Sequence, residues 1–438
     1  MSDSGYRSVR APAAPPGERR RRGRAARDVV PLAGLGDWDP ATREHEALGT
    51  VLAQNETRVA ELVSLRLRRM AVSPWTYFRG AAAVMAADLG AAPHTGIDVQ
   101  LCGDAHVLNF GLWATPERQL SFDLRDFDET VRGPFEWDVK RYLASLVVLA
   151  RETGRGDRGS AAVGAALRAY REKIGFYATA DELRIWYDVV TADQLLDLFG
   201  PEEQEEASAR LARRARRRTS AGAARKLTRV VDGRLRIVED PPIRVRVSDD
   251  VEETLQAYHD SLPYERRGLL DRFTFVDAVR QVVGVGSVGM RVYLVLLQGR
   301  NGEPLFLQIK QAGPSVYEPF LGASPYPGHG ERVIRGKRQI QAASDIFLGW
   351  TGDLYVRQFR DMKVIPNGEL IAPFLVPFAE RCAHVLARAH ARTGDALAIA
   401  GYIGKGRRFD EAMTRFAVDY ADQNERDHAR LVTAQEGG

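Results

Sequence analysis

The sequence predicts an α+β protein of two lobes, one rich in helix and a smaller one made of antiparallel strands. Three observations carry that expectation. Between residues 42 and 90 the apolar residues Leu48, Val51, Leu52, Val59, Leu62, Val63 and Leu67 recur at near-helical spacing, and Ser73-Pro74 breaks the pattern. Between 282 and 297, two runs rich in β-branched residues flank Gly284-Val285-Gly286-Ser287-Val288-Gly289, which reads as strand, loop, strand. Asn301-Gly302 then supplies a turn, and Leu305 to Lys310 reads as the next strand, ending in a lysine. After the strand-like Leu354 to Phe359 come Pro373 and a helix with Phe378, Cys382, Val385, Leu386 and Ala389 on one face. The expected divisions are a disordered basic tail over 1–30, a helix-rich lobe over 31–260, a β-rich lobe over 261–370 and C-terminal helices over 371–438.

Composition narrows the class. A chain of 438 residues, 45% hydrophobic, is long enough for one large or two ordinary domains with buried cores. No apolar run reads as a membrane span, and the start lacks the apolar core of a secretion signal, so a cytoplasmic protein is expected. Two cysteines, Cys102 and Cys382, are too few for a disulfide framework and read as buried small hydrophobes. Residues 1–27 hold eight arginines against Asp3 and Glu18, so the net charge of +4 is concentrated there and the remainder is slightly negative. Such a tail solubilises, or touches nucleic acid weakly; without interleaved aromatics it is no stacking platform. A second basic stretch, Arg210 to Arg236, follows Glu202, Glu203, Glu205 and Glu206, an order that suits a helix dipole. Its sharper reading has Arg216, Arg217, Arg218, Arg225 or Lys226 facing a cleft.

The densest chemistry lies between Leu101 and Asp138. Asp104 and Asn109 stand five apart in a Gly-Asp-Ala-His-x-x-Asn run, the spacing of a phosphotransferase catalytic loop in which Asp takes a hydroxyl proton and Asn holds Mg²⁺. A short apolar strand then leads to Arg125-Asp126-Phe127-Asp128-Glu129, placing Asp126 where a metal-binding Asp would stand, with Asp128 as a second metal contact. This stretch resembles kinases of the aminoglycoside-phosphotransferase type, through Gly103-Asp104, His106, Asn109, Asp126-Phe127, Gly133-Pro134 and Asp138 in that order. Cys102 departs from the pattern where the first His of the loop is expected. Asp138 is read as a brace accepting backbone hydrogen bonds.

The resemblance implies a glycine-rich hairpin and a lysine. Neither precedes Asp104, but both follow it. Gly284, Gly286, Ser287 and Gly289 would cover the phosphates of ATP, Lys310 would neutralise them, and Glu318 or Glu331 would orient that lysine. The implied fold is therefore protein-kinase-like with its parts circularly permuted.

From about Thr42 to Leu431 the chain also looks like the bacterial family catalogued as domain of unknown function 2252. The resemblance rests on Tyr77-Phe78-Arg79-Gly80, Phe122-Asp123-Leu124-Arg125-Asp126-Phe127-Asp128-Glu129-Thr130, Glu136-Trp137-Asp138, Gln341-Ala342-Ala343-Ser344-Asp345, Tyr355-Val356-Arg357-Gln358 and Arg388-Ala389-His390-Ala391-Arg392. Arg79 is a candidate to position substrate at the cleft mouth. His384, His390, Asp422 and Asp427 read as core or surface residues. The expected function is ATP- and Mg²⁺-dependent phosphoryl transfer to a hydroxyl of an unidentified acceptor, with Asp104 and Lys310 at the reaction. The other readings are AMP transfer, a non-catalytic nucleotide-binding protein, and a phosphoesterase using Asp104, His106, Asp123 and Asp126.

Overall fold

A computed structural model describes residues 14–197, 213, 219–246, 249–284, 286–359, 362, 364 and 367–437. Four short strands surround the acidic segment: β1 (Asp98–Leu101), β2 (Phe110–Ala114), β3 (Leu120–Leu124) and β4 (Val131–Pro134). β1 pairs with β4, while β2 pairs with β3, and β3 with β5 (Val190–Thr191), all antiparallel. β6 (Thr228–Val231) and β7 (Arg234–Ile237) form a hairpin of their own. The main sheet has six strands, β8 (Arg244–Val245), β9 (Phe273–Gln281), β10 (Val292–Gly299), β11 (Pro304–Gln311), β12 (Gly349–Thr351) and β13 (Leu354–Gln358). Their spatial order is β12-β13-β11-β10-β9-β8, again antiparallel throughout. The α+β class expected from the sequence is present, with several small sheets rather than one.

Alternation explains little of the central strands. Val292 to Leu297 is buried without interruption, because the sheet is covered on both faces. One face takes Leu255, Tyr258 and Leu262; the other takes Ala223, Leu227 and Ile237. Ala223, Leu227, Ile237, Leu255 and Tyr258, within the 31–260 expected for the helix-rich lobe, therefore pack on the sheet instead.

The helical half is built on Phe135–Glu152, Gly156–Tyr177, Leu375–Thr393 and Arg408–Glu436. Phe135 to Ala150 is buried at every position, so it forms the floor under the strands rather than an amphipathic cover. Contrary to the sequence expectation, Gly368–Thr393 is long and apolar enough to cross a bilayer, with a mean hydropathy of 1.4. Most of that apolar window is buried inside the fold, and the helix packs along Gly156–Tyr177. Its hydropathy is that of a central core helix.

The basic segment departs from expectation as well. From Pro16 to Val29 it is a helix, opened by a proline at its first turn. It lies on the helix Ala396–Ile403, so closely that a Cβ at Gly23 would collide with the Ala398 carbonyl. Arg19 and Arg22 pair with Asp395 at 2.9 and 3.0 Å, and Arg27 donates to the Gly401 and Tyr402 carbonyls. The repulsion that predicts disorder is offset by a carboxylate at one end of the partner helix and its bare carbonyls at the other. Asp427, read as a surface charge, is buried; with Asp88 it holds Arg43, each at under 3 Å.

One fully buried ion pair joins β3 to the helix Leu375–Thr393. Arg388 reaches Asp123 at 2.5 Å, and both are fully buried. Asp123 also accepts from its neighbour Leu124 and from Ala342, just beyond the helix His329–Ile340. Arg388→Ala leaves that carboxylate buried without its counter-charge, so chemical denaturation should show a loss of about 3–5 kcal/mol.

Candidate active site between the sheet and the helices

The acidic segment lies where the two halves meet. β1 ends at Leu101 and turns through Gly103, whose φ of 85° and contact with the Glu129 carbonyl admit no side chain. The Asp138 carboxylate, on the first turn of Phe135–Glu152, accepts from the Cys102 and Gly103 amides at 2.7 and 2.9 Å. Behind it, His390 Nε2 lies 3.4 Å from Asp138 while its Nδ1 lies 2.7 Å from the Tyr170 hydroxyl. The brace read from sequence is thus in place. Cys102, standing where a His was expected, donates through Sγ to the Asp126 carbonyl at 3.3 Å.

Asp104 is held by Arg141, whose Nε and Nη2 both lie 2.9 Å from Oδ1, while Nη2 also donates to the Phe78 carbonyl. Arg141 belongs to none of the motifs that mark the site in the sequence. The signal was its place one turn after Asp138, which puts both on the face toward the loop. His106 Nε2 stands 3.7 Å from Asp104, edge-on to Trp75. Burial pushes its pKa down to about 3; Asp104 opposes this, and Arg79, Arg141 and Arg125 reinforce it.

Asn109 does not present its amide as a metal ligand. Its Nδ2 donates to the carbonyls of Asp104 and Asp126, and its Oδ1 accepts from the Asp126 amide at 2.8 Å. It fastens the two acidic loops together. Lys310 enters from β11, nearly inaccessible, and pairs with Asp128 and, at 3.7 Å, with Asp126. Burial pulls the ammonium down, yet the two carboxylates outweigh it and hold its pKa above the ordinary lysine value. The Tyr355 hydroxyl donates to Asp128 at 2.6 Å. Neither acid expected to orient the lysine does so: Glu318 accepts from the Ser315 amide and faces Arg332 at 3.5 Å, and Glu331 pairs with Arg335. Arg332 instead donates to the Asp128, Thr130 and Gly313 carbonyls.

The glycine segment forms the turn of the β9–β10 hairpin, as the β-branched runs predicted; Val285 lies outside the described residues. Arg58 donates to the Gly286 and Val288 carbonyls, Arg69 to Gly284, and the Val59 amide to Gly289. A cavity of about 560 Å³ opens beneath it. Its walls carry Gly284, Gly286 and Ser287 on one side and Asp104, Asp126 and Asp128 on the other. Gly289 packs behind the wall against Arg58, and Lys310 lies below the carboxylates. Of the basic stretch, Arg225 and Lys226 are exposed and apart from the cavity, while Arg216, Arg217 and Arg218 lie outside the described residues.

Among the described residues no three His, Cys, Asp or Glu side chains converge closely enough to hold a metal by themselves. Asp126 and Asp128 are carboxylates of the kind that hold Mg²⁺ together with substrate phosphates and water; in this structure Oδ2 of Asp128 is engaged by Lys310 and Oδ1 by the Tyr355 hydroxyl.

Fold and site together define an α+β protein with an acidic cleft roofed by a glycine hairpin. The chain belongs to the family described as "Uncharacterized protein conserved in bacteria (DUF2252)", whose model matches residues 58–434. No curated protein and no solved structure matches it.

His106 makes the site sensitive to acid. Its folded pKa lies below the ordinary value of 6.5, so between about pH 6.5 and 3 the unfolded chain binds a proton that the folded chain excludes, and stability falls as pH falls. The loss is at most about 5 kcal/mol. Melting temperature plotted against pH should be flatter over that window for His106→Gln than for the wild type.

Proposed function

We propose that this protein is an ATP- and Mg²⁺-dependent phosphotransferase acting on a hydroxyl, working in the cytoplasm where both are supplied. The observation that carries the reading is the single cleft shared by the glycine hairpin and the three carboxylates Asp104, Asp126 and Asp128. No short-range sequence constraint brings a loop at 284–289 over residues 104–128. Further support comes from the order of parts in the sheet: glycine hairpin, a strand ending in a lysine, then a helix, which is the order of a kinase nucleotide lobe. A permuted kinase-like arrangement accounts for that order, since the acidic loops precede the lobe in this chain.

In this reading the hairpin backbone covers the phosphates, and Lys310 shifts its charge from Asp128 toward them. Asp126 and Asp128 would hold Mg²⁺, which neutralises charge developing on the phosphates when bound. Asp104, fixed by Arg141, accepts the acceptor's hydroxyl proton. Electrostatic positioning supplies most of the acceleration in this chemistry. An arginine with two nitrogens on Asp104 Oδ1 and a neutral His106 beside it favour a preset carboxylate over a mobile one. Val316, Pro319 and Phe320 give the acceptor side of the cavity an apolar wall. AMP transfer on the same cleft is the second reading, favoured by the lack, among the described residues, of a helix carboxylate on Lys310.

Thermal unfolding tests the assignment. ATP with Mg²⁺ at about a hundred times its Kd should add roughly 2.7 kcal/mol to stability. Asp126→Asn should abolish that gain, and Asp422→Asn, on the surface beside Arg151, should leave it intact. Product analysis then separates phosphoryl from AMP transfer.

A further inference from the structure

Among the described residues Arg58 and Arg79 line the cleft and Arg141 stands behind its Asp104; two of the three are committed. Arg58 serves the carbonyls of the glycine hairpin, and Arg141 serves Asp104 and the Phe78 carbonyl. Arg79, in the last turn of the helix Pro74–Gly80, lines the same cavity, and its buried Nε has no hydrogen-bond partner. Among the described residues no carboxylate stands within ion-pair distance of it. Burial lowers the pKa of its guanidinium from the ordinary arginine value, and Asp104 and Asp126 oppose this through space. Its main-chain carbonyl abuts the glycine hairpin, 3.4 Å from where a Cβ of Gly286 would stand.

A half-buried guanidinium whose Nε is closed off from water and unbonded, and whose remaining edge faces the cavity, is costly, and such cost is tolerated where a ligand supplies the counter-charge. The position says which ligand. Asp104 marks the acceptor hydroxyl and Asp126 the metal-bound phosphates, and both act on Arg79. The group that passes between them is the phosphoryl in flight. Resting on the phosphotransferase reading, we infer that Arg79 is a catalytic residue whose guanidinium binds the equatorial oxygens of the γ-phosphoryl during transfer, an arginine supplied within the chain itself. The bond from the γ-phosphorus to its bridging oxygen breaks, and its electron pair leaves with ADP. The acceptor oxygen forms the new bond to phosphorus, and its proton goes to Asp104. Arg79 makes its two hydrogen bonds only while the oxygens spread into a plane, so it favours the transition state over bound ATP.

Calorimetry on the full chain, with Mg²⁺-ADP alone and with aluminium fluoride added as the planar phosphoryl mimic, tests this without knowledge of the acceptor. The wild type should bind the fluoride complex roughly a hundred-fold more tightly than Mg²⁺-ADP. Arg79→Met should lose that increment while its affinity for Mg²⁺-ADP holds and its melting temperature holds or rises, since a guanidinium with an unbonded Nε costs the fold rather than supporting it. Arg79→Lys, which keeps the charge without the planar fork, should recover part of the increment. A full increment in Arg79→Met, no increment in the wild type, or a parallel fall in Mg²⁺-ADP affinity overturns the inference. A drop in the melting temperature of Arg79→Met does so too, by assigning the residue to structure. Failure of the wild type to bind Mg²⁺-ADP at all instead defeats the nucleotide reading beneath it.

Discussion

Lys310 leaves the middle of the main sheet and ends, almost wholly buried, against Asp128 and Asp126 of the opposite half. A lysine so placed needs counter-charges, and carboxylates crowded on one short loop need a cation; each requirement answers the other only if the halves close in one register. The surrounding bonds enforce that register. Arg332 gathers the Asp128, Thr130 and Gly313 carbonyls, the Ser315 hydroxyl donates to the Glu129 carbonyl, and the Val316 amide donates to the Glu129 side chain. Residues 126–130 are therefore a hub that belongs to neither half alone.

The loop bearing Asp104 is fixed from the other side. Asp138 holds its amides, Asn109 ties it to the Asp126 loop, and the Tyr317 hydroxyl donates to the Gly103 carbonyl at 2.7 Å. Asp138 in turn rests on His390, and His390 on Tyr170, so a line of polar groups runs from the helix Gly156–Tyr177 to the acidic loop. In an interior of low dielectric such a line is stiff. The cleft acids stand on rigid supports while the wall facing them, the glycine turn, is held mainly by main-chain carbonyls accepting from Arg58 and Arg69.

Much of this was legible where residues near in sequence decide the outcome. The β-branched runs around Gly284 to Gly289 specify a hairpin, and the spacing of Asp104, Asn109, Asp126 and Asp138 marks one acidic site. What sequence concealed were partners. Lys310 and Asp128 are 182 positions apart, and Glu318, nearer along the chain, was the natural guess until Ser315 and Arg332 proved to hold it. Asn109 sits at a metal-ligand spacing, yet the same spacing serves to lace two loops together, and only geometry separates the uses. The N-terminal arginines read as disorder because the acid that answers them, Asp395, lies over 370 positions away.

Cys102 and Cys382 are both buried, and burial raises their thiols well above the ordinary value. The native chain should therefore be nearly silent toward thiol-selective dyes. Exposed Tyr264, beside the main sheet, and exposed Leu183, on the helical half, are then ready anchor points: cysteines introduced at both would carry a fluorophore pair over a dark background. The distance between them would report directly how far the two halves part and close, in solution and molecule by molecule, with no native thiol to be removed first.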